Sequence, residues 1–489
     1  MNRNSVSPFP LIPTEHLLFG VFALVVLCSV FGAVYTGMYF LAGFPAVLLL
    51  AYLAVVDFRK IYYLLLFSIP LSTEVILPNG FGTDLPTEPL TVGLMLLFVL
   101  YWSRHRDAVK ADFLRHPVTL LLLLHWGWML APVLSSADPF ISLKFFLAKS
   151  WYIITFYFLT GYLMRTAEDV RRFFWAVFVS LMLSVIIVLV RHSMYNFSFE
   201  DVYRVLSPFY RNHVAYAAIM AVFIPFVWFV RQWYPVKSIP YVIIGASTII
   251  LLIAIQLSYT RAAMGAVLLS VAAYWVIRLK LAKPAILIAA VVVVAGLGWM
   301  SSQNTYLDFA PQYEKTISHT RFDNLLEATA QGEDISTMER FYRWIAGFYM
   351  VGERPLTGFG PGNFLEQYKA YTVTSFRTYV SHNPEQSGIH CYYLMISVEQ
   401  GLPGLLFFLL MSFAALIYGE QLYHRVRDRQ TRQAVMALML SLISILILCV
   451  INDLIETDKI GSFFFINIAM LVNLDIADRR QKALENDAA

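Results

Sequence analysis

His390 stands where a long polar stretch gives way to an apolar run, in Gly388-Ile-His-Cys-Tyr-Tyr-Leu-Met-Ile-Ser-Val-Glu-Gln-Gly-Leu-Pro-Gly404. Imidazole titrates near neutrality, so a histidine at such an entrance can serve as general base toward an attacking hydroxyl; the plainer reading is an interfacial packing residue. Glu399 lies inside the apolar run itself, where an ionisable side chain is a functional candidate by default. At about 100° per residue the two fall on opposite faces of an ideal helix. They share a site only if Gly401-Leu-Pro-Gly404 bends the segment, and otherwise Glu399 holds a helix junction.

A second set is basic: Arg191, Arg204, Arg211, Arg261, Arg340 and Arg343, several of them at the ends of apolar runs. Snorkelling to headgroups is the ordinary explanation of an arginine there. Arg261 fits it poorly, because Leu257-Ser-Tyr-Thr-Arg-Ala-Ala-Met-Gly265 is a tight connection of small residues that suggests a guanidinium turned inward. Guanidinium forks grip phosphate bidentately and stay charged at any physiological pH, so arginines converging at a membrane face imply an anionic lipid headgroup, best a diphosphate. A P-loop, paired-cysteine metal motifs and His-Glu-x-x-His are all missing, and aspartates suited to metal ligation are scarce near these residues. The expectation is chemistry without metal or cofactor. Gly358-Phe-Gly-Pro-Gly362 follows no strand and reads as a turn, not a phosphate cradle.

The elements that must position these residues are membrane spans. Of 489 residues 59% are hydrophobic and 14% charged, which excludes an ordinary water-soluble enzyme, and a net charge of +4 is too small to indicate nucleic acid. With about 20 residues needed per span, the runs near 17–35, 40–56, 61–77, 88–103, 117–134, 144–164, 173–190, 214–230, 240–258, 262–278, 284–300, 390–418, 434–451 and 461–474 predict an all-α polytopic bundle of about 12–14 spans. The organisation expected is spans 1–11 over residues 1–300, a loop domain over 301–389, spans 12–14 over 390–474 and a polar tail over 475–489. Cys28, Cys391 and Cys449 fall in or beside apolar runs and read as small packing residues.

Basic residues at 59–60, 104–115, 165–172 and 425–432 place both termini in the cytoplasm. That arrangement puts the 191–213 loop and the 301–389 segment together on the outer face. Within the latter, Ser336-Thr-Met-Glu339 fits a capping box ahead of an amphipathic helix carrying Phe341, Trp344, Phe348 and Tyr349, which ends at Glu353 to Pro355. Phe364 to Tyr371 forms a further short helix.

These residues resemble the O-antigen ligases and the related O-antigen and exopolysaccharide polymerases, polytopic membrane glycosyltransferases. His390, Gly401 and Gly404 match the ligases' histidine followed by Gly-x-x-Gly; the residue after the histidine, usually Asn, Ser or Gln, is Cys391 here. Glu339-Arg-Phe-Tyr-Arg-Trp344 with Arg354-Pro-Leu-Thr-Gly-Phe-Gly-Pro-Gly-Asn-Phe364 is similar to the family's Arg-x-x-x-Trp and Pro-x-x-Gly-x-Gly signature. Thr260-Arg-Ala-Ala263 looks like its Ser-Arg-Gly-Ala segment, and Tyr210-Arg-Asn-His-Val-Ala215 is similar less specifically. The resemblance implies a GT-C-like transmembrane fold in a bacterial inner membrane with a periplasmic site. It also implies transfer of a glycan from a polyprenyl-diphosphate carrier to a sugar hydroxyl on a glycan or glycolipid acceptor, metal-independent and inverting. His390 would then be the base and Arg211, Arg261 and Arg340 the diphosphate ligands, with Arg343 and Glu399 as secondary candidates. A polymerase of the same superfamily is the nearest alternative. A transporter or flippase lined by Glu399, Lys149, Asp453 and Glu456, or a non-catalytic scaffold, are readings from other classes.

Overall fold

The computed structural model describes residues 14–76, 82–302, 335–376, 381–383 and 386–487. Almost all of them are helical, as apolar runs require when no water is at hand to satisfy backbone amides and carbonyls. The chain divides into two compact units, Met1–Tyr63 and Leu64–Ala489. The first contains α1 (Thr14–Thr36), α2 (Phe44–Val56) and the beginning of α3 (Phe58–Ser68), with a 3-10 turn at Tyr39–Gly43 between α1 and α2.

The second unit holds the rest: a β1–β2 hairpin (Thr73–Ile76 and Gly82–Leu85), α4 (Thr87–Arg104), α5 (Pro117–Leu134), α6 (Pro139–Tyr152), α7 (Ala167–Ser193), α8 (His213–Arg231), α9 (Ile239–Leu257), α10 (Arg261–Arg278) and α11 (Ala282–Ser301). It ends with α12 (Ile335–Glu353), α13 (Tyr392–Arg425), α14 (Arg429–Leu448) and α15 (Asp458–Asp487). Among the described residues ten helices, α1, α5, α7 to α11 and α13 to α15, are long and apolar enough to cross a membrane. The other four expected spans are α2 and α3, which are shorter, α4, which is as long as α10 but less apolar, and α6, which continues through a π-turn at Ile153–Leu159 to Leu163.

The run expected as a span over 61–77 departs most. Its helix stops at Ser68, a 3-10 turn carries Pro70, and Thr73–Ile76 pairs antiparallel with Gly82–Leu85. Proline cannot donate to the helix ladder, and the polar Ser72-Thr-Glu that follows is poorly suited to a lipid environment. The segment from 475, expected as a polar tail, is the end of α15, mostly exposed beyond the buried Asp475.

The starts of the spans follow capping chemistry. Thr166 and Asp169 form a capping box at α7, Asn212 accepts from the Ala215 amide at 2.8 Å to open α8, and Asp138 accepts from the Phe140 and Ile141 amides ahead of α6. Helices α8, α14 and α15 are the most enclosed. Phe173 and Phe174 on α7, Phe223 and Phe226 on α8, and Phe463 on α15 interlock there with ring centroids between 5.4 and 6.2 Å apart. Inside the bundle the Asn467 side-chain nitrogen donates to the Ser441 hydroxyl at 2.9 Å.

Contacts sort the connections to two ends. At one, the Lys459 ammonium donates to the Ile69 and Ser72 carbonyls, Thr87 to the Asp458 carboxylate, Tyr259 to the Phe197 carbonyl, and the Tyr392 amide to the Cys449 carbonyl. At the other, Arg165 donates to the Ala108 carbonyl, His116 and Arg425 meet Asp475, and His424 reaches the Ile277 carbonyl. The connections expected on the outer face are those at the first end.

Candidate active site

The site is built where α12 meets the entrance to α13. Ala346 and Met350 on α12 are fully buried against Ile389, Leu394 and Val398, which makes α12 a lid bound to the bundle by its apolar face, with Phe348 and Tyr349 exposed. The helix is already under way at Ile335, ahead of the expected capping box; the Ser336 side chain and residues 303–334 of the expected loop domain lie outside the described residues. Glu339 receives the Ser381 hydroxyl at 2.7 Å and Arg343 at 3.3 Å.

Arg343 is 5% exposed, and besides Glu339 it donates to the Gly388 carbonyl at 3.2 Å and the Asn383 side-chain oxygen at 3.4 Å. The Trp344 indole donates to the Ile389 carbonyl at 3.0 Å. Two adjacent residues of α12 thus grip the two peptides just ahead of His390. The histidine takes a left-handed backbone conformation, φ 56°, which costs a non-glycine residue about 1–3 kcal/mol and persists because its neighbours hold it. Gly388 allows the approach: a Cβ there would lie 2.2 Å from an Asp453 carboxylate oxygen.

His390 is half-buried, and burial together with the Arg340 and Arg343 guanidiniums pushes its imidazole down to about 3. Cations beside it disfavour imidazolium, so the group is a neutral proton acceptor throughout the physiological range. Burial pushes the Asp453 carboxyl up, with Glu456 adding to the effect and Arg343 and Arg211 opposing it. Asp453 was legible only as a polar residue after an apolar run; its place against Gly388 is tertiary.

Arg340 is an electrostatic neighbour of His213 as well as of His390. His213 begins α8 directly after Arg211-Asn212, and its carbonyl accepts from the Thr260 hydroxyl at 3.2 Å, which ties the Arg211 turn to the turn that presents Arg261. Arg211 itself is exposed and 3.9 Å from Glu74 on the hairpin. Arg340 and Arg343 are therefore electrostatic neighbours of His390, and the turns of Arg211 and Arg261 are linked to them through Asp453, His213 and Arg340.

Glu399 has another occupation. It is enclosed at a kink of α13, where Gly401 adopts φ 71°, and it accepts from the amides of Gly362 and Phe364. The glycine-rich turn docks on this kink: the Phe359 and Gly360 amides donate to the Val398 and Glu399 carbonyls at 2.9 and 3.0 Å, and the Leu402 amide donates to Pro355 at 2.8 Å. Asn363, fully buried, bonds Ser142 and the Asp138 amide. Gly358-Phe-Gly-Pro-Gly362 is accordingly a structural lock, and Glu399 holds the junction. Lys149 and Glu456, weighed above as channel residues, pair with each other at 2.6 Å.

Among the described residues no group of three His, Cys, Asp or Glu side chains is placed to hold a metal ion. The chain matches no curated protein. Residues 246–409 match the family model described as O-Antigen ligase, a stretch that includes the Arg261 turn, α12, the glycine-rich lock, His390 and the kinked half of α13. The protein is thus a polytopic helical membrane protein in which residues 246–409 are similar to the O-antigen ligase family, the superfamily its motifs resemble.

Proposed function

We propose that the chain transfers a glycan from a polyprenyl-diphosphate carrier to a sugar hydroxyl at the periplasmic face of a bacterial inner membrane, in the manner of an O-antigen ligase. The observation that carries this reading is that one helix brings the charges of Arg340 and Arg343 to bear on His390, with the Arg211 and Arg261 turns linked beside them. In the proposed step His390 takes the proton of the acceptor hydroxyl as its oxygen bonds to the anomeric carbon. The anomeric carbon–phosphate oxygen bond breaks on the opposite face, inverting the centre, and the diphosphate departs as an anion held by Arg211, Arg261 and Arg340. The lid helix excludes water that would otherwise hydrolyse the donor.

The test supplies purified protein with a polyprenyl-diphosphate oligosaccharide, a lipid A core acceptor and, separately, a second molecule of donor. Product and released polyprenyl diphosphate are then measured with and without chelator. Transfer to the core supports the ligase reading, and transfer only to another donor molecule makes the protein a polymerase. Absence of transfer to either, with donor shown to bind, defeats the proposal.

The electrostatics predict a pH profile. The acid limb of kcat/KM, which reports His390 in the free enzyme, falls well below pH 5 in the wild type. Arg340→Gln removes one cation, stabilises imidazolium and moves the limb upward toward the ordinary histidine value of 6.5. Bound diphosphate screens the same arginines, so the limb of kcat lies above that of kcat/KM. An unmoved limb in Arg340→Gln would show that Arg340 does not set it.

A further inference from the structure

The residue that follows the base is a cysteine, and the peptide that follows it is bonded to another cysteine. The Tyr392 amide donates to the Cys449 carbonyl at 2.9 Å. With standard covalent geometry that bond, which the amide shares with the Asn452 carbonyl at 3.2 Å, keeps the Cys391 and Cys449 Cα atoms within about 7 Å of each other, the reach of a disulfide, while both thiols are free in the structure. Their thiols are also electrostatic neighbours. Cys391 occupies the N-cap of α13, Cys449 the C-cap of α14, and both lie at the end of the bundle that gathers His390 and the arginines.

We propose that Cys391 and Cys449 form a disulfide in the mature protein, stapling the entrance of α13, and with it the backbone of His390, to the end of α14. The inference rests on the periplasmic placement of this end, since disulfides persist in that compartment and not in the cytosol. The oxidant is a dithiol–disulfide protein of the periplasmic thiol-oxidase class. One thiolate attacks its disulfide and expels the first thiolate, giving a mixed disulfide, which the second cysteine's thiolate then resolves, expelling the second. Two electrons pass to the oxidant, and the two thiol protons end on its dithiol. Burial pushes both thiols up in the folded chain, so the bond closes while the segment is still assembling and does not act as a rapid switch.

The test counts thiols by mass. Membranes are denatured directly in excess maleimide-polyethylene glycol, with and without prior reduction. One adduct, on Cys28, without reduction and three after it is the expected result, with Cys449→Ala giving two under both conditions. Three adducts without reduction overturn the proposal. Oxidised glutathione added to the detergent-purified protein then locates the failure: closure under this oxidant means that the geometry is right and the compartment wrong, whereas no closure means that the two side chains cannot meet. Neither result bears on glycan transfer, which the donor assay decides separately.

Discussion

Replacing His390 by alanine is expected to lower kcat for glycan transfer by a factor of about 10²–10⁴, with little change in the KM for the donor. The argument has two parts. The imidazole is held as the neutral acceptor by burial and by Arg340 and Arg343, so it is competent as a base without a prior deprotonation. The backbone that presents it is fixed by Arg343 on Gly388 and Trp344 on Ile389, contacts that do not involve the imidazole and survive its removal. The loss therefore appears in the chemical step, while the arginines continue to bind diphosphate. Stoichiometric measurement of glycan transferred and polyprenyl diphosphate released decides the matter, and equal turnover by His390→Ala would remove the histidine from the mechanism.

Gly401→Ala is expected to destabilise the protein by about 3 kcal/mol or more, the sum of left-handed strain in a non-glycine residue and overpacking of a closed contact. A Cβ at Gly401 would lie 2.0 Å from the Leu356 carbonyl oxygen and 2.4 Å from its carbon, and both are backbone atoms that cannot swing aside. Relief requires the turn to lift off the kink, breaking the bonds from Phe359, Gly360 and Leu402. Because the same turn follows directly on α12, the displacement also loosens the grip of Arg343 and Trp344 on the His390 peptide, and transfer falls with stability. Gly352→Ala, in the same domain but with nothing within 4 Å of the new methyl, is the control and is expected to melt at or slightly above the wild-type temperature. Unfolding in detergent followed by tryptophan fluorescence compares the two; equal melting of Gly401→Ala and wild type would show that the kink does not need glycine.

The sequence by itself determined the class of the molecule. Apolar runs long enough to span hydrocarbon leave the backbone no choice but helix, so the bundle was legible from hydropathy, and where a run carried Pro70 and then polar residues the expectation of a span failed for a local reason. It also supplied the candidates for the proposed site, because His390 and the arginines at span ends are residues of a type that a membrane admits only at a cost. Tertiary structure alone decided how they are used. Arg340 and Arg343 are one turn apart on α12 and indistinguishable by position, yet Arg343 is buried on Glu339, Asn383 and the Gly388 carbonyl while the charge of Arg340 acts on two histidines, His213 and His390. Glu399, which the sequence left open between a secondary site residue and a helix junction, sits at the kink on which the glycine-rich turn docks. Asp453 and Cys449 sit about sixty residues from Gly388 and Cys391 in the chain, and their encounter depends on how α13 and α14 pack. Such pairings are long-range, set by packing of helices whose facing sides carry no local signal of what they will meet.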